Sequence, residues 1–207
     1  MSSNIADTCA GLSKAEMRKQ SQRERILAAA MRCFIKSGFH CANMATIAET
    51  AEMSPGLIYR YFENKNAIIL EIIRSQLTAS QCRIRDMRNT DDLSANIIAY
   101  FESIEDDQAH TMSVPLFLEM SAEASRDPEI AQAVSEIDSA VRSELAEWFS
   151  RSAREGGLGF PPDEAWERSL ALILLIDGVK TRKLREPDLD RPCLKKAVDR
   201  IVATIVQ

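Results

Sequence analysis

Residues 43–68 read NMATIAETAEMSPGLIYRYFENKNAI. Two short apolar-periodic segments are joined by AEMSPG, and the second runs into Tyr59, Arg60 and Tyr61 side by side. In the first segment, over about residues 44–52, Ile47, Ala48 and Ala51 share one helical face. In the second, Ser54 suits an N-cap and Pro55 the first helical position, where its missing N–H costs nothing. Before Asn64 there is room for only about two turns. On so short a helix Leu57, Tyr59, Arg60 and Tyr61 cannot all point inward, because consecutive positions diverge by about 100°. Ile47, Ile58 and Phe62 are left to hold the pair together, and aromatic hydroxyls and a guanidinium are left outside. This pattern suits a helix-turn-helix. Its second helix is short enough for a major groove, small residues (Ser54, Gly56) stand where it nears a sugar-phosphate backbone, and outward groups can meet phosphates and base edges.

Upstream, Ile26, Leu27, Ala30, Phe34 and Ile35 recur at helical spacing, and Gly38 in KSG supplies a C′ stop. The helix is expected to start between residues 19 and 22, after a mobile arm over residues 1–18, which lack periodicity. Residues 14–36 hold Lys14, Arg18, Lys19, Arg23, Arg25, Arg32 and Lys36 against only Glu16 and Glu24, whereas residues 102–147 are dominated by Glu and Asp. With a formal net charge of −5, the chain is not a uniformly basic nucleic-acid binder; its front end is locally basic.

Downstream, Asn64 is the expected cap of a fourth helix through AIILEIIRSQLTASQCRIRDM, a rod about 35 Å long. A fifth helix opens in NTDDLSANIIAYFESI, with Asn or Thr as cap and Asp91 and Asp92 favourable to its dipole. SVPLFLEMSAEAS gives a sixth. A seventh has Asp127 as cap and Pro128 at N1. After the break GGLGFPPDE come an eighth over about residues 163–185, halted before Pro187, and a ninth over about residues 192–206. Segments with strict alternation are few, and good helix formers dominate a chain of 207 residues with 45% hydrophobic and only 6% aromatic residues. The expected fold is all-α: an N-terminal three-helix helix-turn-helix domain over residues 19–65 and a C-terminal helical bundle over residues 66–207, about nine helices in total.

Several classes are disfavoured. Cys9, Cys33, Cys41, Cys82 and Cys193 are odd in number and lack C-x-x-C spacing, which suits free thiols in a reducing cytoplasm. The first residues have no apolar stretch of the kind a secretory signal needs. LALILLI at residues 170–176 is too short for a membrane span. With His40 and His110 the only histidines, there is no convincing Ser-His-Asp or Cys-His set, no phosphate-binding glycine loop and no metal-ligand spacing. Asp91-Asp92 and Asp106-Asp107 read as helix-terminal charges. An enzyme is not expected, and neither a cofactor nor a metal.

Residues 22–70 resemble the DNA-binding domain of the tetracycline-repressor (TetR) family of bacterial transcription regulators. The resemblance is carried by RILAAAMRCFIKSGF, ending in Gly38-Phe39, by Ile47-Ala48, and by MSPGLIYRYFENK at residues 53–65. Pro55 stands where many members carry Lys or Arg, Leu57 where Thr or Ser is frequent, and Glu63 where Lys is common. The resemblance implies a phosphate contact at Thr46. It implies groove contacts through Ser54, Pro55, Gly56, Leu57 and Arg60, with Leu57 limited to apolar contact such as a thymine methyl. It implies phosphate bonds from the Tyr59 hydroxyl and Lys65. Tyr61 either joins this surface or, more readily, packs in the domain core. Lys14, Arg18 and Lys19 could line a backbone or minor groove; His40, beside the expected DNA-binding unit, fits a phosphate contact or plain solvation equally.

For the remainder, the resemblance implies a bundle that binds a small apolar or amphipathic effector and forms a homodimer on a near-palindromic operator. Met87, Tyr100, Phe101, Met112, Phe117, Met120, Trp148, Phe149 and Trp166 are candidates for the effector pocket, and each would serve equally as ordinary core filling. The eighth helix is apolar nearly all round, and Gly178 within it allows close helix approach. Helices eight and nine, with Leu174, Asp177, Gly178, Thr181, Val198 and Ile201, are the expected subunit face. The functional expectation is a cytoplasmic, ligand-responsive regulator that acts as a repressor and leaves its operator on binding effector. The competing reading is a ligand-binding or catalytic helical bundle with a vestigial N-terminal domain.

Overall fold

The computed structural model describes residues 13–89, 92–103 and 113–207, apart from the side chain of residue 183. Expectations placed on residues 1–12, including Cys9, and on Thr90, Asp91, Asp106, Asp107, His110 and Met112 lie outside the described residues. Within them are nine α-helices and no strand. The helices are α1 Lys14–Cys41, α2 Met44–Thr50, α3 Pro55–Tyr59, α4 Lys65–Arg88, α5 Leu93–Ser103, α6 Val114–Ala124, α7 Pro128–Ser150, α8 Pro162–Arg185 and α9 Arg191–Val206, with a 3-10 turn at Ala153–Glu155.

Side-chain capping sets most starts. The Asp127 carboxylate accepts from the amides of Glu129 and Ile130 at 2.9 and 3.2 Å, with Pro128 following as N1. Asn64 Oδ1 accepts from the Ala67 amide at 2.8 Å. Two expectations are corrected. Helix α1 begins at Lys14, inside the expected arm, because Ser13 and Glu16 form a reciprocal capping box. Asp92, rather than Asn or Thr, caps α5, accepting from the Ala95 amide at 2.8 Å. Gly38 breaks α1 as expected: at φ 74° it bends the chain, and one further turn runs to Cys41.

Contacts divide the chain into two units, residues 1–72 and 73–207. The division falls inside α4, where sequence reading set 65/66, because Ile68, Ile69 and Ile72 are buried in the first unit. That unit packs α1, α2, α3 and the first turns of α4 around Ile26, Ala30, Phe34, Phe39, Ile47, Ile58 and Phe62. The Phe34 and Phe39 rings meet edge to face with centroids 4.6 Å apart. The second unit is a bundle in which α7 lies along α8 and α5 along α9. Its core gathers Ile97, Phe101, Leu145, Phe149, Leu172, Val198 and Val202.

Candidate nucleic-acid interface and ligand cavity

In the first unit the turn between α2 and α3 is a Schellman motif. The Met53 amide donates to Ala48 O at 2.9 Å and the Glu52 amide to Glu49 O at 3.0 Å, with Glu52 left-handed at φ 52°. This aims α3 so that Ile58 and Phe62 are buried while Ser54, Pro55, Gly56, Tyr59 and Arg60 are exposed. Tyr59 is 55% exposed, and a Cβ at Gly56 would meet nothing within 4 Å. The Ser54 side chain makes no capping bond, so its hydroxyl remains available. Leu57 and Tyr61 are half-buried between the two faces.

Two predicted phosphate contacts have internal duties. The Thr46 hydroxyl, although exposed, accepts from the Asn43 amide at 3.2 Å and donates to Asn43 O at 3.1 Å, completing the α2 capping box. Lys65 Nζ donates to Phe39 O at 2.6 Å, tying the start of α4 to the end of α1. A lysine has two further N–H groups, so this bond does not exhaust it.

The basic stretch also divides. Arg23 donates to Tyr61 O at 3.2 Å, pairs with Glu71 at 3.1 Å and lies 4.5 Å from the Phe62 ring centroid, locking the α3–α4 corner. Arg25 pairs with Glu52 at 3.1 Å, and Arg32 donates to Thr50 O at 3.5 Å. Lys14, Arg18, Lys19 and Lys36 are exposed. Arg23, Arg25 and Arg32 thus bond within the unit, Arg25 and Arg32 while still exposed.

Within the second unit is a cavity of about 350 Å³. It is walled by Ile73, Gln76, Ser80, Arg83, Ile84 and Met87 of α4, Tyr100 of α5, and Phe117, Met120 and Ser121 of α6. Helix α7 adds Val134, Ile137, Asp138, Val141 and Leu145, and α8 adds Ile173, Ile176, Asp177 and Lys180. Of the candidate pocket residues, the cavity brings together Met87, Tyr100, Phe117 and Met120. Phe101, Trp148 and Phe149 do not line it but fill the bundle core. Adjacent positions on a helix diverge by about 100°, so Tyr100 and Phe101 cannot share a wall. Trp166 is at the surface under the Arg142 guanidinium, 3.9 Å from its ring centroid.

Aromatic and Met content pointed to the apolar lining, and gave no signal for Gln76, Arg83, Asp138 and Lys180. Lys180 Nζ bonds Asp177 Oδ1 at 2.9 Å and lies 4.6 Å from the Phe117 centroid. Asp138, still water-exposed at the cavity mouth, has its pKa raised, first by desolvation from the surrounding walls and then by the negative charge of Asp177. Of the residues expected on the subunit face, Leu174 is 64% exposed, Ile201 45% exposed and Gly178 open. Thr181 is half-buried, its hydroxyl donating to Asp177 O at 3.1 Å. Asp177 lines the cavity with its side chain still 40% exposed, whereas Val198 lies in the protomer's own core, which corrects the expectation for Val198. Leu170 and Leu184 of α8 join the exposed apolar residues. No described helix is long and apolar enough to cross a membrane.

A short exposed α3 on a three-helix head, followed by a cavity-bearing bundle, defines a transcription regulator of the helix-turn-helix class. The model for bacterial regulatory proteins of the tetR family matches residues 26–72, and that for the C-terminal part of BetI-type transcriptional repressors matches residues 90–207; the chain belongs to the TetR family. It is 28% identical to the Escherichia coli K12 regulator UidR over 164 residues, 77% of this chain and 80% of that one. It is 30% identical to BetI of Agrobacterium fabrum over 166 residues, 78% of this chain and 76% of that one. Among solved structures, Salmonella enterica GusR superposes with a TM-score of 0.71 at 22% identity, covering 90% and 95% of the two chains. A Saccharomonospora viridis regulator in complex with choline gives 0.68 at 19% identity, covering 89% and 96%.

Proposed function

We propose that two copies of this chain bind a near-palindromic operator as a cytoplasmic repressor and leave it when a small molecule occupies the cavity. The observation that carries this is the split of α3: Ile58 is fully buried, while Ser54, Gly56, Tyr59 and Arg60 form an outward hydrogen-bonding face. Arg60 offers a guanidinium to a base edge or phosphate, Tyr59 a hydroxyl to a phosphate, and Leu57 an apolar contact at the edge of the same face. Thr46, Pro55, Tyr61 and Lys65 border it. The dimer reading is supported by apolar side chains left exposed on α8 and α9, among them Leu174 and Ile201. The effector reading is supported by the cavity, whose α4 wall belongs to the same continuous helix that begins in the DNA-binding unit. A ligand there would bias the position of α4 and so the spacing of the two α3 helices.

The test is titration of a duplex from the region upstream of the gene, at several salt concentrations. Arg60→Ala is expected to weaken operator binding by about 1–3 kcal/mol, and Tyr59→Phe to weaken it while lowering the salt slope little. Unchanged operator affinity in both variants would refute the assignment of α3 as the reading helix.

A further inference from the structure

The cavity of the second unit carries a buried acceptor with nothing to accept and, at its mouth, a carboxylate without an ion pair. Gln76 is 5% exposed, lines the cavity from α4, and its buried Oε1 has no hydrogen-bond partner. A buried acceptor left unpaired is destabilising until something donates to it. Asp138 reaches the same cavity from α7, and its carboxylate has no ion-pair partner among the described side chains. The cations of the wall are committed elsewhere. Lys180 is bonded to Asp177 at 2.9 Å and covers the Phe117 ring. Arg83 donates to Ser80 Oγ at 2.9 Å and lies 5.5 Å from the Tyr100 centroid.

Two consequences narrow the ligand. Gln76 Oε1 and the Asp138 carboxylate are both acceptors, the second anionic, so a partner that meets both is a donor and preferably a cation. Both aromatic rings of the wall already face a cation from the protein, so they do not form an open cage for an ammonium that lacks N–H groups. The rest of the lining, including Ile84, Met87, Met120 and Ile137, is apolar, and about 350 Å³ suits a drug-sized body.

We propose that this cavity takes an amphipathic amine, a protonated primary or secondary ammonium on an apolar body, whose N–H groups meet Gln76 Oε1 and the Asp138 carboxylate. This deepens, and rests on, the reading of the cavity as the effector site. A cation at Asp138 also offsets the negative charge of Asp177, which the Lys180 ammonium counters only in part. A carboxylate ligand would meet that same charge with repulsion, and a quaternary ammonium would leave Gln76 unpaired.

Calorimetry on the full-length protein with four probes of one body decides it: 4-phenylbutylamine, its trimethylammonium analogue, 4-phenylbutanol and 4-phenylbutyrate. The amine is expected to bind at least about tenfold tighter than each of the others. Asp138→Asn should abolish its advantage over the alcohol while leaving the alcohol unchanged, and Gln76→Met should lower amine affinity by about tenfold. Asp138 is at the water-exposed mouth, so its variant stays informative if burial makes Gln76→Met fold poorly. Equal or tighter binding of the carboxylate or the quaternary analogue overturns the proposal, as does an amine preference that survives in Asp138→Asn. A parallel operator titration separates the two readings. Amine binding that leaves operator affinity unchanged upholds the ligand class and removes the effector role. Operator release by another probe, without amine binding, overturns the ligand class and keeps the effector role.

Discussion

Glu52 is held in the left-handed region at φ 52°, the place in a Schellman motif where glycine is usual. A Cβ there costs about 1 kcal/mol or more. The side chain returns only an exposed pair with Arg25, worth roughly 0–1 kcal/mol. The second Arg25 contact, to Glu52 O, is to backbone and survives substitution. Glu52→Gly is therefore expected to raise unfolding free energy by about 0.5 kcal/mol, read as a higher midpoint in denaturant; a lower midpoint would mean that the Arg25 pair outweighs the strain. Residue-level legibility was uneven for a physical reason. Tyr59 and Arg60 stood out because a short helix cannot bury neighbours, and one-dimensional spacing shows that directly. Gln76, Asp138 and Asp177 come from α4, α7 and α8, and no spacing along the chain announces that three distant helices face one cavity.

At the scale of elements, the local code was readable where one residue does the capping. Asp127, Asn64 and Gly38 all act where sequence reading set them. The start of α1 carries no apolar periodicity, because Ser13 and Glu16 cap a turn that has no apolar face. Long-range fasteners were not legible either. Arg168 of α8 donates to Thr204 O at 3.0 Å and Ile205 O at 2.5 Å, closing the C-terminus of α9, while its guanidinium lies 4.0 Å from the Phe160 centroid. It also pairs with Glu164 one turn back. Arg168→Ala should cost about 1.5–3 kcal/mol in chemical denaturation, since charge-assisted bonds to helix-end carbonyls are lost together with the ring contact. A loss under about 0.5 kcal/mol would mean that α9 is held by Leu194, Val198, Val202 and Ile205 alone.

For the whole molecule, the all-α class and the order of the helices followed from composition and periodicity, because each helix carries its own face and punctuation. Contacts place the boundary between two units at Ile72, inside α4, where periodicity along the chain suggests 65/66. Less legible was which apolar residues of α8 and α9 stay uncovered: Val198 and Leu174 look alike in sequence, yet one is 2% exposed and the other 64%. On the proposed function, the uncovered set joins two chains, and joining is what makes a DNA reader. The most direct measurement is sedimentation of the wild type and Leu174→Glu, alone and with the operator duplex. The wild type should run at twice the 23.1 kDa chain mass and place two chains on each site. Leu174→Glu, which alters a side chain free in the protomer, should fold normally but lose dimer and operator complex together, because an unpaired buried charge costs about 3–5 kcal/mol. A monomeric wild type, or a monomeric variant that still holds the operator at full affinity, would contradict the account.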